Sequence, residues 1–205
     1  MKSPTSANAS DGQERRTLWL VLGLNVALAL AFAIVGLIAD SSALIANGLD
    51  IASDGAVYAL SLIALSRGAH WKRWAARVSG IMLLLFAGGV LVDVARRYLE
   101  GSEPIGPMMI GMSIAAGIIN YICLRLLQRL EHKDVNLRAA TTFSFNDFIS
   151  NGGIVVAGML VLWLGVNWPD LLVGLATALI QLWGGIKILR DASNEAKAAK
   201  ENGDD

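Results

Sequence analysis

The chain has 205 residues, 55% of them hydrophobic, and its 17 basic and 17 acidic residues leave a formal net charge of zero. With a mean hydropathy of +0.54 it is too apolar for an ordinary soluble domain. Its single cysteine, Cys123, excludes an intrachain disulfide and a cysteine-rich metal cage.

In chain order, residues 1–17 are rich in Ser, Ala, Asn and charge and read as a disordered cytoplasmic arm. Six long apolar runs follow, over 18–39, 43–65, 78–95, 107–127, 139–164 and 171–189. Each is long enough to cross a hydrocarbon core of roughly 30 Å at about 1.5 Å per residue. None alternates as a barrel strand would, so the expected fold is an all-α membrane protein, a six-helix transmembrane bundle over 18–190. The first run lacks a small-residue cleavage site and follows a polar arm, which argues against a cleaved signal peptide. Residues 191–205 read as a polar cytoplasmic tail, helical where it leaves the membrane.

The connections are short, and the basic residues are unevenly shared between the two sides. With a cytoplasmic N-terminus, all but Arg96 and Arg97 of the 17 basic residues fall on the cytoplasmic side. The positive-inside rule therefore places both termini in the cytoplasm.

Against this apolar background a few polar residues stand out. A carboxylate inside a bilayer costs from about 2.5 kcal/mol upward, so intramembrane acids mark sites that bind or move something. In the second run Asn47, Asp50 and Asp54 follow i, i+3, i+7 spacing and share one stripe. In the fifth, Asp147 and Asn151 are four apart and likewise share a face. Counting from the cytoplasmic ends puts Asp54 at ~18 Å and Asp147 at ~13 Å, about one turn apart, so the two stripes can meet near mid-membrane. Three carboxylates converging there would repel one another unless protonated or neutralised by a cation, and a divalent metal supplies that charge and takes oxygen ligands. The plainer alternative for each acid is a protonated interhelical hydrogen-bond donor.

Other polar positions read as structural. Asp93, beside Arg96 and Arg97, is expected in an interfacial ion pair, and Asp40 and Asp170 as helix caps. Asn25 and Asn120 are expected to bond between helices. His70 and His132 fall in loops and share ligand spacing with no acid. Gly36, Gly48, Gly88, Gly89, Gly152 and Gly153 are expected at close helix contacts, and the tryptophans at 19, 71, 74, 163 and 168 in interfacial belts. The hexapeptides beginning at Asp50 and Asp147, DIASDG and DFISNG, echo one another, but six residues are too few to argue a repeat.

The stretch from Ser42 to Asp54, SALIANGLDIASD, resembles the second transmembrane helix of the cation diffusion facilitator family, which carries a [His/Asp]-x-x-x-Asp pair there. Leu137 to Asp147 resembles its fifth helix, and Trp168-Pro169-Asp170 with the following LLVGL the start of its sixth. The similarity covers 18–190. It implies proton-coupled export of divalent metals, zinc foremost, by proteins that commonly work as dimers, and it carries over to Asp50, Asp54 and Asp147. It does not carry over to position 143, where the family's His or Asp is replaced by Phe143; Asn151, Asn47 or a water is expected to complete the ligand set. Residues 191–205 are too few for the family's usual cytoplasmic metal-binding domain, so a member with the membrane domain alone is expected.

The resulting expectation is a divalent metal cation efflux transporter, with zinc favoured and cadmium, cobalt or manganese possible cargo, working as a metal/proton antiporter in the plasma (inner) membrane of a bacterium. Its partners would be the metal ion, protons, the lipid bilayer and a second copy of the chain through its membrane helices, with no nucleic acid, no cofactor and no catalysis. Two rivals remain: an intramembrane aspartyl protease, whose Tyr-Asp and Gly-x-Gly-Asp contexts are missing around Asp50 and Asp147, and a metal sensor that does not transport.

Overall fold

In a computed structural model the backbone is described for residues 4–65, 69–129 and 135–201, and the side chains for 16–57, 59–60, 71, 73–129, 141 and 144–194. His132 and the side chains of His70 and Phe143 lie outside these; the backbone of His70, expected in a loop, is in the first turn of a helix. The described backbone forms six helices: α1 (Pro4–Ile38), α2 (Ser42–Leu65), α3 (Ala69–Glu100), α4 (Gly106–Gln128), α5 (Val135–Leu164) and α6 (Trp168–Glu201). Helix α1 begins at Pro4, so residues 4–17, expected as an irregular arm, are helical. Five helices carry segments long and apolar enough to cross a membrane: Arg16–Ile38, Arg73–Glu100, Gly106–Gln128, Ser144–Leu164 and Trp168–Asn194. Helix α2 is not among them on its described residues, although its 24 residues would span about 36 Å.

Helix α2 is the inner member of the bundle, packing against α1, α3, α5 and α6. Helices α1, α2, α5 and α4 contact one another in a closed ring, and α3 pairs with α6 alongside it, reaching the ring through α2 and α5. Large apolar side chains, such as Leu30, Leu37, Leu85, Val92, Leu162 and Ile180, face outward, as lipid-facing positions must. Trp19, Trp71, Trp74, Trp163 and Trp168 are all exposed near helix ends or span boundaries, as an interfacial belt requires.

The turns at one end of the bundle are built from a few specific residues. Asp40 (φ 50°) turns the chain out of α1, and Gly101 (φ 88°) and Gly165 (φ 65°) do so after α3 and α5; in these left-handed conformations glycine carries no Cβ penalty. Pro107 opens α4, where its missing N–H costs nothing. The loops are tied together by the Ile105 N–H, which donates to Ala39 O at 2.9 Å, and by Asn167 Nδ2, which donates to Ser102 Oγ at 3.1 Å.

The helix contacts follow glycines, though only partly those expected. Gly36 and Gly48 do sit where a Cβ would collide, with Ile45 and with Phe32. Gly88, Gly89, Gly152 and Gly153 face open space instead. The tightest approaches between distant helices join Gly106 of α4 to Gly158 of α5, where a Cβ on Gly106 would lie 2.7 Å from the Gly158 carbonyl oxygen, and Gly80 of α3 to Gly185 of α6, where a Cβ on Gly185 would lie 3.0 Å from the Gly80 oxygen. Gly185 therefore packs within the protomer.

Candidate metal site in the seam between the ring and the helix pair

The sequence-predicted residues gather where α2 and α5 of the ring face α6 of the pair. Asn47 is fully buried, and Asp147 and Asn151 are each 2% exposed. Asp50 and Asp54 retain some open surface while lying deep among surrounding atoms, as residues lining a narrow crevice do. Asp50 and Asp54 lie on α2, and Asp147 lies on α5, which packs against it. Among the described residues, however, no group of three His, Cys, Asp or Glu side chains is gathered closely enough to hold one ion.

Three of the predicted residues, Asn47, Asp50 and Asn151, are oriented by hydrogen bonds. Ser150 Oγ donates to Asn47 Oδ1 at 2.8 Å, stitching α5 to α2. Asn151 Nδ2 donates to the Asp147 backbone carbonyl at 2.7 Å, one turn back, which leaves its Oδ1 free of any described partner. Gln181 of α6, not singled out in the sequence, donates from Nε2 to Asp50 Oδ1 at 2.9 Å. Its signal was present: it falls on a stripe of buried small residues, Gly174, Ala178 and Gly185, where a long polar side chain is out of place.

The region is rich in buried polar atoms without a hydrogen-bond partner among the described residues: Asn47 Nδ2, Ser113 Oγ, both amide atoms of Asn120, Asp147 Oδ1, Asn151 Oδ1 and Gln181 Oε1. Leaving such an atom unsatisfied costs about 1–3 kcal/mol. The oxygens among them are hard donors of the type that divalent cations take. Asn120 thus shows none of its expected interhelical bonding, and Asn25 bonds within its own helix, donating to Val21 O at 3.0 Å. Behind Ser113 and Asn151, a groove of about 440 Å³ between α4 and α5 is otherwise walled by Ile114, Ile118, Phe148 and Ile149.

Burial closes the site on one side. Toward the start of α2, residues 41–44 and 46–48 are all buried, whereas 54–57 beyond the acids are only half-buried. The closed end carries a second polar cluster. Asp170, at the start of α6, accepts from the Ser42 N–H at 2.8 Å, the Ala43 N–H at 3.1 Å and Ser41 Oγ. It therefore caps α2 rather than its own helix. Ser41 Oγ in turn accepts from the Leu44 N–H at 3.1 Å, as an N-cap does. Asp93 accepts from Arg97 Nε at 2.8 Å, Arg96 at 3.1 Å and Ser42 Oγ at 2.7 Å, the expected ion pair with one partner more. Asp40 caps no helix: its carboxylate pairs with the buried Arg97 guanidinium and accepts from the Glu103 N–H at 2.8 Å, because its left-handed backbone turns it toward α3 and the α3–α4 loop.

Residues 18–195 match the family model described as the cation efflux transmembrane domain. The chain is 24% identical over 206 residues to a zinc transporter, ZitB, of Escherichia coli (strain K12), covering 94% of this chain and 66% of that protein. It is 21% identical over 199 residues to a cadmium, cobalt and zinc/H(+)-K(+) antiporter of Bacillus subtilis (strain 168), covering 90% and 64%. With the metal cation efflux system protein CzcD of Cupriavidus metallidurans the identity is 23% over 184 residues, covering 84% and 57%. The chain thus spans just under two thirds of the length of the first two of these relatives, and less of the third.

Proposed function

The chain belongs to the cation efflux family, a family of multi-pass membrane transporters, and from that premise we propose that it exports a divalent metal ion, zinc foremost, in exchange for protons. The observation that supports this reading is that α2, carrying Asp50 and Asp54, and α5, carrying the buried Asp147, pack together inside an apolar bundle and are tied by the Ser150–Asn47 hydrogen bond. A cation there would neutralise these acids, and it would find the oxygens of Asn151 and Gln181 unpartnered nearby. Asn47, whose oxygen is already taken by Ser150, is better suited to fixing the distance between α2 and α5 than to ligation. Metal ligation needs deprotonated carboxylates, so loading displaces protons and protonation expels the metal. Acids that share one cation titrate as a set rather than singly.

With both termini in the cytoplasm of a bacterium, the closed end of the bundle faces outward and the half-buried side of Asp54 faces the cytoplasm, so this form takes up metal from inside. Release needs the α3–α6 pair and the ring to shift at the seam where the acids sit. Each proton entering down one pH unit contributes about 1.4 kcal/mol, and each net inward positive charge about 2.3 kcal/mol per 100 mV. Exchange of two protons for one divalent ion would draw on the pH gradient alone. A homodimer would meet through membrane helices, and the open face of α3 at Gly88 and Gly89 suits such a contact.

The test is flux. Purified protein in sealed vesicles should move Zn²⁺ when a pH step is applied, and Asp147→Asn should stop it. A hydrolytic or purely sensory protein would show no pH-driven metal movement, and that result sinks the proposal.

A further inference from the structure

Gln181 lies in the middle of α6 and is 2% exposed. One end of its amide is used, with Nε2 donating to Asp50 Oδ1 at 2.9 Å. The other end, Oε1, is buried with no hydrogen-bond partner among the described residues. A leucine would fill such a position in an apolar bundle without stranding an acceptor, so packing alone does not account for a glutamine whose only described partner is the carboxylate of Asp50. Helix α6 otherwise approaches α2 through Gly174, which lies against Ser42, and Ala178, so Gln181 is where the α3–α6 pair reaches the acids.

We propose that Gln181 is the ligand contributed by α6, and that its amide turns over as the site changes state. The terminal torsion of glutamine is broad and roughly two-fold, so the amide can exchange its two ends in place. With no cation held, Nε2 donates to Asp50 Oδ1 and Oε1 has no described partner. When a divalent cation is held by the carboxylates, Oε1 becomes a neutral oxygen ligand, of a kind that hard cations accept. One side chain thus has a bond to make with the site empty and with it filled, and it joins the helix pair to the ring differently in each. This rests on the acids being the metal site.

The experiment uses the full chain in nanodiscs and reads metal binding directly, by calorimetry with Zn²⁺ and Cd²⁺ and by the visible absorption of bound Co²⁺. Gln181→Leu should weaken binding about tenfold, in the range expected for a group that supports a metal centre, and change the Co²⁺ spectrum, while the melting temperature without metal stays at the wild-type value. Gln181→Glu, which adds a charge beside Asp50, should lower the metal-free melting temperature and enlarge the rise produced by each metal. Should Gln181→Leu fail to insert, the Glu variant decides the matter: an unenlarged metal-induced rise overturns the proposal. Wild-type affinity and Co²⁺ spectrum in Gln181→Leu, with binding lost in Asp147→Asn, overturns the role of Gln181 alone. Wild-type binding in Asp147→Asn as well overturns the metal site itself.

Discussion

The molecule holds two polar regions about a third of a helix apart, and they are built on opposite rules. At the closed end, Asp40, Asp93, Arg97 and Asp170 are joined to one another and to the Ser41 and Ser42 backbone and hydroxyls by a full set of hydrogen bonds and ion pairs. Deeper in, Asp50, Asp54 and Asp147 have no basic partner among the described residues, and buried amides on α2, α5 and α6 carry unpartnered atoms. Buried charge in a structural role is paired, because removing a charge from water is costly unless another compensates it. Acids left inside a bundle without such a partner are suited to a ligand that comes and goes. The same residue type, aspartate, therefore serves two ends, and its partners distinguish them better than its depth does.

The contrast can be broken at either region. The largest effect is expected from Arg97→Leu, which takes the buried guanidinium from Asp93 and Asp40 and leaves them only their remaining hydrogen bonds. Breaking a buried pair costs roughly 3–5 kcal/mol, and since Asp40 stays 44% exposed about 3 kcal/mol is expected here, read as a lowered melting temperature in detergent. Next, Asp50→Asn, Asp54→Asn and Asp147→Asn should each cut Zn²⁺ flux by on the order of 100-fold, beyond what loss of a supporting group alone costs, yet leave the melting temperature equal or higher because an acid without a basic partner is removed. A stability loss in these mutants matching that of Arg97→Leu would erase the distinction. A smaller effect belongs to Asp170→Asn, which weakens the cap on α2 and should cost about 1–2 kcal/mol of stability with flux per folded molecule retained. The smallest is Phe143→His, four residues before Asp147: an added nitrogen ligand should raise the preference for Zn²⁺ over Mn²⁺ by about tenfold or less in competition assays. A wild type that already separates the two metals by several orders of magnitude, unchanged by the histidine, would refute the account of an oxygen-rich site.

The helices and the acids were legible in the sequence because both signals are local. Run length decides what can cross a bilayer, and an aspartate between leucines announces its own cost. The partners were not legible. That Asp170 caps α2 across 128 residues of chain, or that Asp40 turns to Arg97, depends on which helix ends meet, which spacing along one helix does not encode. Glycines mislead for the same reason: Gly88-Gly89 and Gly80 look alike in sequence, but only Gly80 has a helix against it. Gln181 escaped because an uncharged side chain raises no electrostatic alarm, although the small residues spaced around it mark the face it lies on.

The bond from Asp170 to the first turn of α2 has a mechanical consequence. It pins one end of α6 to the ring, while Gln181 touches the site 11 residues further along, at about 16 Å by the helical rise, and the described helix runs to Glu201 at about 47 Å. A straight rod held at Asp170 would carry any sideways displacement at Gln181 to its far tip magnified about threefold. An adjustment of 1 Å around a cation, no more than an amide turning over, would then swing the end of α6 by about 3 Å, roughly the width of a water molecule. In this geometry α6 is a lever whose short arm ends at Gln181.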